Sequence, residues 1–292
     1  MVNSAWTKVA TLLEMIKFSH TVFAFPFALM GATLAALASG RPPTPAQVSW
    51  ICLAMVGART AAMGLNRIID ARIDAENPRT FGRPLPAGKV SLAESWLLVT
   101  VATLLLLWAA AMLNPLCLAL APVALGFFVL YAYCKRFTAL AHVVLGVCLA
   151  AAPVGAWIAL RGDLQWPVLV LGGAVLLWVA GFDIFYAVQD VDFDRSQGLH
   201  SIPVHLGVKH AILLGKLLHG GMIALLLLLP LGLPLGWLYY VGLAVISALI
   251  AYEHQLVKPE DLSKLDAAFF NMNGYISVTI FLFTLADVVV TG

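Results

Sequence analysis

Asn66, Asp70 and Asp74 fall at i, i+4 and i+8 in the stretch "NRIIDARIDAENPRT". On a helix, that spacing stacks one amide and two carboxylates along a single face. A second set follows 120 residues later, where Asp190 and Asp194 repeat the separation of Asp70 and Asp74. Asp183 precedes Asp190 by two helical turns, with Tyr186 close by, while Asp192 falls off that face. Like charges one turn apart repel, so each set calls for something positive beside it. Donors that are all oxygen suit a hard cation. Mg2+ binds through one or two carboxylates and completes its shell with water and substrate phosphates. Two acidic faces, each holding Mg2+, would together grip a diphosphate. A lone DxxxD reads more readily as solvated loop charge; two sets in matching register at the ends of apolar segments do not.

Basic side chains complete this constellation. Lys135 and Arg136 stand in "YAYCKRFTAL", with Tyr131 one turn ahead of Lys135, and Arg79 and Arg83 follow the first acidic set. Each is placed to pair with phosphate oxygens. Ordinary loop topology accounts for Lys8, Lys89, Lys258 and Lys264. Arg59 is different, because it lies two turns before Asn66 on the same face and inside an apolar run. A guanidinium at that depth needs an anion. A carboxylate on a substrate and a structural partner are both open readings. Asp287 is a further charge inside an apolar run, expected near the opposite surface. The histidines show no metal-ligand spacing, so zinc is not expected.

The elements that carry these residues are set by composition. Of 292 residues, 62% are hydrophobic and only 11% charged, and the mean hydropathy is +0.94. Soluble domains carry about 25% charged residues. Several runs approach or exceed the roughly 18 apolar residues that suggest a membrane span. An all-α integral membrane protein follows, with nine transmembrane helices expected near 18–38, 47–66, 92–112, 116–134, 142–160, 166–187, 211–230, 234–252 and 266–289. Residues 1–17 lack a continuous apolar run and are not read as a cleaved signal. Trp6, Val9, Leu13 and Ile16 recur there at helical spacing, which predicts an amphipathic helix at the membrane interface. The four cysteines show no pairing logic and read as packing residues.

Charge placement sets the orientation. All but three of the 17 basic residues fall on one side of this layout; Arg41 and Arg161 fall on the other, and Arg59 lies within the second span. The positive-inside rule puts the N-terminus, the long loops and the acidic helix ends in the cytoplasm and the C-terminus outside. The two acidic sets, each followed by a loop with proline and glycine (Pro84 and Gly88; Pro203 and Gly207), suggest one domain over 1–292. Its related halves lie roughly at 18–134 and 142–252, plus a ninth helix. A secondary transporter also carries repeats and intramembrane charge, but its ionisable groups are expected at the midplane rather than at one surface.

These motifs resemble the UbiA superfamily of intramembrane prenyltransferases. "NRIIDARID" is similar to its NxxxDxxxD motif and "DIFYAVQDVDFD" to its second motif, in the form seen in 4-hydroxybenzoate polyprenyltransferases. "RTFGRPLPAG", the YxxxKR pattern and the arginine ahead of the asparagine also match. His200, in "GLHSIPVHLG", stands where the 4-hydroxybenzoate enzymes usually carry lysine. With "FSHTVFAFPFALMGATLAA", it looks closer to the subgroup that includes prenyltransferases of the futalosine route to menaquinone. The resemblance implies a helical bundle around a central cavity open to lipid, in a bacterial or archaeal plasma membrane. It implies two Mg2+ on Asn66, Asp70, Asp74, Asp183, Asp190 and Asp194, and a leaving diphosphate neutralised by Lys135, Arg79 and Arg83, with Tyr131 and Arg136 beside it. The expected partners are a polyprenyl diphosphate and an aromatic acid, either 4-hydroxybenzoate or 1,4-dihydroxy-6-naphthoate, met by Arg59 and Tyr186. No nucleic acid is expected.

Overall fold

The structure is a computed structural model that describes residues 2–16, 21–257 and 271–291. Lys17, His20, Lys258 and Lys264 lie outside the described residues, as do 18–20 and 266–270 at the starts of the first and ninth expected spans. The helices are α1 (Val2–Met15), α2 (Thr21–Ser39), α3 (Pro45–Ile69), α4 (Ala71–Glu76), α5 (Leu92–Leu113), α6 (Pro115–Cys134) and α7 (Ala141–Arg161). They continue with α8 (Trp166–Ala187), α9 (Val191–Ser196), α10 (Ile202–Leu206), α11 (Val208–Leu226), α12 (Trp237–Leu256) and α13 (Asn273–Thr291). No strand occurs among the described residues.

Each of the nine apolar runs carries a helix over its described part, and among the described residues seven helical segments are long and apolar enough to cross a membrane. The apolar stretch of α2 counts only from Ala24 to Ser39, and α12 closes on Glu253 and His254. The chain is an all-helical membrane protein, and its surface agrees. On α5, Leu97, Val101, Leu104, Trp108 and Met112 are all exposed. They recur at helical spacing as one apolar stripe turned away from the protein, which suits lipid and would be a liability in water.

The chain divides into two compact units, one built from α1 and Ser49–Tyr133, the other from Val22–Val48 and the part beginning at Cys134. In the first unit α3 lies close on α5. A Cβ on Gly57 would sit 2.8 Å from the backbone nitrogen of Leu106 and 2.9 Å from the carbonyl oxygen of Ala102. Only glycine allows that approach. The end of α1 buries Met15 and Ile16 against Val90, whereas Leu13 is exposed. Met15 and Ile16 thus face the protein there, while the side chains of Trp6 and Val9 lie outside the description.

The second unit is built around α8. Two thirds of its membrane window is buried, against a third or less for every other span. Trp178 on α8 is fully buried, with Phe27 of α2 at 5.1 Å and Phe182 at 5.0 Å between ring centroids. The core extends to Trp157 on α7, Tyr239 on α12 and Ile276 on α13. A Cβ on Gly31 of α2 would collide with the backbone of Pro153 on α7. That contact and Phe27 place the first apolar helix with the second unit, although the repeat reading put it in the first half. The chain passes from the first unit to the second after Tyr133. The turn from α7 to α8 passes through Gly162 at φ 72°. There Arg161 donates to both oxygens of Asp163, at 3.0 and 3.1 Å, and holds its carboxyl below the ordinary carboxylate value.

Asp287 has a structural explanation. Its side chain is fully buried on α13 and accepts from the backbone N–H groups of Gly236 at 2.6 Å and Tyr239 at 3.3 Å. A carboxylate there caps the start of α12 and complements its dipole. The Tyr239 hydroxyl donates to the Leu226 carbonyl at 2.7 Å, tying the same corner to α11. Asp287→Ala leaves two buried N–H groups without an acceptor. It should lower stability by about 1–3 kcal/mol, with Asp287→Asn losing less. Thermal unfolding of the detergent-solubilised protein measures this, and an unchanged midpoint in the alanine variant would refute the capping role.

Candidate active site

The first acidic set stands where α3 gives way to α4. Asp70 interrupts the helix at φ −92°, ψ 3°, yet the hydrogen-bond ladder continues through it. The amide of Asp70 reaches the Asn66 carbonyl at 2.9 Å, and that of Asp74 reaches the Asp70 carbonyl at 2.8 Å. The expected stack of Asn66, Asp70 and Asp74 therefore survives the break. The Asn66 amide donates to Asp70 Oδ2 at 3.1 Å. Asp70 and Asp74 are each only 4% exposed, so their charge must be met locally. Arg83 meets that of Asp74, with Nη1 at 2.7 Å from both carboxylate oxygens. Arg67 adds Nη1 at 3.7 Å from Asp74 Oδ2 and 3.4 Å from Asn66 Oδ1, and its Nε donates to the Met15 carbonyl at 3.2 Å.

In the sequence Arg67 counts only as one of the basic residues on the expected cytoplasmic side. Its position, seven residues before Asp74 and so on the same face, was the available signal. Asn77 organises the following loop by accepting from the Arg79 backbone N–H at 2.8 Å, and Thr80 donates to the Asp74 carbonyl at 3.0 Å. Deeper on α3, Arg59 has a buried Nε with no hydrogen-bond partner. Tyr131 lies within electrostatic reach of both Arg59 and Arg67, so in this unit it belongs with the arginines.

The second acidic set is built differently. α8 ends at Ala187, a 3-10 turn spans Val188–Asp190, and α9 begins at Val191. The expected single α-helical stripe through Asp183, Asp190 and Asp194 is thereby broken, because the tighter turn changes the angular step. Asp190 and Asp194 remain electrostatic neighbours, and Lys135 and His142 are in range of Asp194. Lys135 and Arg136 are half-buried in the turn after α6. The Lys135 carbonyl accepts from the His200 N–H at 2.7 Å, and Leu199 donates to the Asp194 carbonyl at 2.8 Å. Tyr186 packs against the apolar cluster of Phe185, Val188, Ile212 and Val257. Asp183 pairs with His142 across 41 residues, Nδ1 to Oδ2 at 2.7 Å. That pairing carried no signal in the sequence, because nothing local to His142 points to α8.

The breaks match between units. Asp70 opens the six-residue helix Ala71–Glu76, and Asp190 opens the six-residue helix Val191–Ser196, 120 residues on at both ends. The two aspartates share nearly the same backbone conformation, φ −92°, ψ 3° and φ −104°, ψ 5°. Among the described residues no three histidine, cysteine or acidic side chains form a ready metal cage.

Comparison with known proteins gives a consistent picture. The UbiA prenyltransferase family matches residues 24–275. The 4-hydroxybenzoate octaprenyltransferase of Salmonella paratyphi B is 31% identical over 258 residues, 87% of this chain and 88% of that protein. The apo structure of a UbiA homologue from Aeropyrum pernix K1 is 35% identical and superposes with a TM-score of 0.83, covering 92% of this chain and 98% of that one. A UbiA homologue from Archaeoglobus fulgidus, bound to DMAPP and Mg2+, is 21% identical with a TM-score of 0.70, covering 96% and 99%, and shares the fold.

The Arg83–Asp74 pair makes a direct prediction. Arg83→Ala, Asp74→Ala and the double variant, unfolded thermally without ligand, should show a favourable coupling of about 0.5–3 kcal/mol. Additive losses would mean that the contact is idle in solution.

Proposed function

The chain belongs to the UbiA prenyltransferase family, and from that premise we propose that it transfers a polyprenyl group from polyprenyl diphosphate to an aromatic acid. The acid is 4-hydroxybenzoate or 1,4-dihydroxy-6-naphthoate, in ubiquinone or menaquinone biosynthesis. The observation that carries the reading is the pair of matched acidic breaks at Asp70 and Asp190, each at the end of a long apolar helix. The kinship with a 4-hydroxybenzoate octaprenyltransferase supports the acceptor class. The orientation that goes with it has the N-terminus and acidic ends in the cytoplasm, where a water-soluble diphosphate head meets a lipid-borne tail.

The donor set of Asn66, Asp70, Asp74, Asp183, Asp190 and Asp194 is all oxygen, which fits Mg2+. No full cage is needed, because this ion binds through few carboxylates and fills its shell with water and phosphate. When bound, Mg2+ supplies charge that stabilises the departing diphosphate. Lys135, Arg79, Arg83 and Arg136 hold the remaining phosphate oxygens, with Tyr131 beside them. The allylic C–O bond breaks and its electron pair leaves with the diphosphate. The electron-rich ring carbon ortho to a hydroxyl captures the allylic cation, and loss of the ring proton restores aromaticity. The surrounding helices exclude water that would otherwise quench the cation. Arg59, with its orphaned buried Nε, receives the acceptor's carboxylate as a two-point clamp, and Tyr186 lies beside the ring.

Three outcomes are expected. Asp70→Ala and Asp190→Ala should each abolish transfer in a folded, membrane-inserted protein; near-normal turnover at saturating Mg2+ would overturn the shared metal role. Lys135→Ala should raise the apparent KM for the prenyl diphosphate and leave that for the acceptor unchanged, and the reverse would reassign it. Arg59→Lys keeps the charge but loses the fork. With Arg59→Gln, it should weaken acceptor binding while Mg2+-dependent diphosphate binding persists, as separate titrations of the two substrates would read. The assay that tests the whole reading offers both acids with a polyprenyl diphosphate and identifies the product by mass; absence of a prenylated product from either acid would refute it.

A further inference from the structure

His142 opens α7 on the edge of the second acidic set, and its side chain is 5% exposed. Its Nδ1 stands 2.7 Å from Asp183 Oδ2, and the backbone N–H of Ile202 points to its Nε2 at 3.4 Å. Nε2 receives a donor, so it is the acceptor nitrogen; Nδ1 then carries the proton and donates to the carboxylate. One imidazole ring therefore links three pieces of chain: the start of α7, the acid on α8, and the residue that begins α10. The last piece belongs to the segment that follows α9, where His200 bonds the Lys135 carbonyl and Leu199 bonds the Asp194 carbonyl. Removing the ring would loosen Asp183 and the segment that braces Asp194 and Lys135 together.

We propose that His142 is a positioning residue of the prenyl transfer site: it donates Nδ1–H to Asp183, fixing which oxygen that acid presents, and anchors the segment beginning at Leu199 beside Asp194 and Lys135. The proposal rests on the metal and diphosphate reading above for its effect on the reaction, and on geometry alone for the hydrogen bond. Partners that orient metal-binding groups typically change affinity or activity by about 10–100-fold when removed. His142 acts through Asp183 and does not itself touch substrate.

The two ring nitrogens can be tested separately. Asn places an N–H where Nδ1 was, whereas Gln places one where Nε2 was. His142→Ala and His142→Gln should weaken Mg2+-dependent binding of a polyprenyl diphosphate, measured by calorimetry without acceptor, by about 10–100-fold. His142→Asn should recover most of that loss. Equal losses in Ala and Asn, or no loss in any variant, would overturn the positioning role. A second readout does not depend on activity. Magnetic resonance of nitrogen-labelled histidine should show His142 with its proton on Nδ1, and Asp183→Asn should shift that signal. A proton on Nε2 in the wild type would overturn the proposal, whatever the outcome for the reaction. If the wild type failed to bind diphosphate with Mg2+ while the Nδ1 proton was present, the functional reading would fall and the hydrogen bond to Asp183 would stand.

Discussion

A carboxylate set among apolar helices must have a partner, and this one requirement organises much of the molecule. Asp74 is held by Arg83 and Arg67. Asp183 is held by a histidine. Asp287 is held by two backbone N–H groups. The three solutions differ in kind, and so do their consequences. Backbone amides cannot leave, so Asp287 is committed to the corner between α11 and α12. A histidine fixes direction through a single ring nitrogen. An arginine supplies a counter-charge on a long side chain that can turn to another anion. The acidic ends of α3 and α8 carry the second and third kinds of partner; the far end of α13 carries the first.

Much of this was legible in the sequence, for a physical reason. Spans are dictated by the bilayer, which demands long uninterrupted apolar runs with their backbone bonds made internally. Among the described residues, seven helical segments meet that demand in length and composition. The Asn66–Asp70–Asp74 stack depends only on local helical periodicity, and it survives in the structure. What was not legible depends on contacts remote in sequence. The bond between His142 and Asp183, the cap that Asp287 provides to α12 and the placing of α2 beside α7 are all tertiary. The 3-10 turn before Asp190 is local, but no proline or glycine in "FYAVQDVDF" announces it. Arg67 is an intermediate case: its spacing from Asp74 points to the contact, but nothing in the sequence sets it apart from the other basic residues near the end of α3.

Sequence identity between the halves is confined to the acidic sets, yet both sets are presented by the same device. In each, a six-residue helix restarts from an aspartate, directly after α3 in the first set and through a 3-10 turn after α8 in the second. Their supports are not copies: the first set is surrounded by arginines, and the second by a lysine, a histidine and a bracing segment. The likeness of the two sets therefore lies in the backbone at Asp70 and Asp190, and their chemical difference lies in the side chains recruited around them.

The burial of α8 has one further implication. Free energies of local opening vary across a protein, from near zero at frayed ends to the full unfolding value at the centre of the core. α8 carries Trp178 and the tightest packing of its unit, and it also carries Asp183 close to its end. Its central amide protons should therefore exchange with solvent only when the whole unit opens. The lipid-facing α5, with most of its side chains outside the core, has no such anchorage. The acid on α8 thus inherits the rigidity of the core, and its alignment should be among the last features lost on heating.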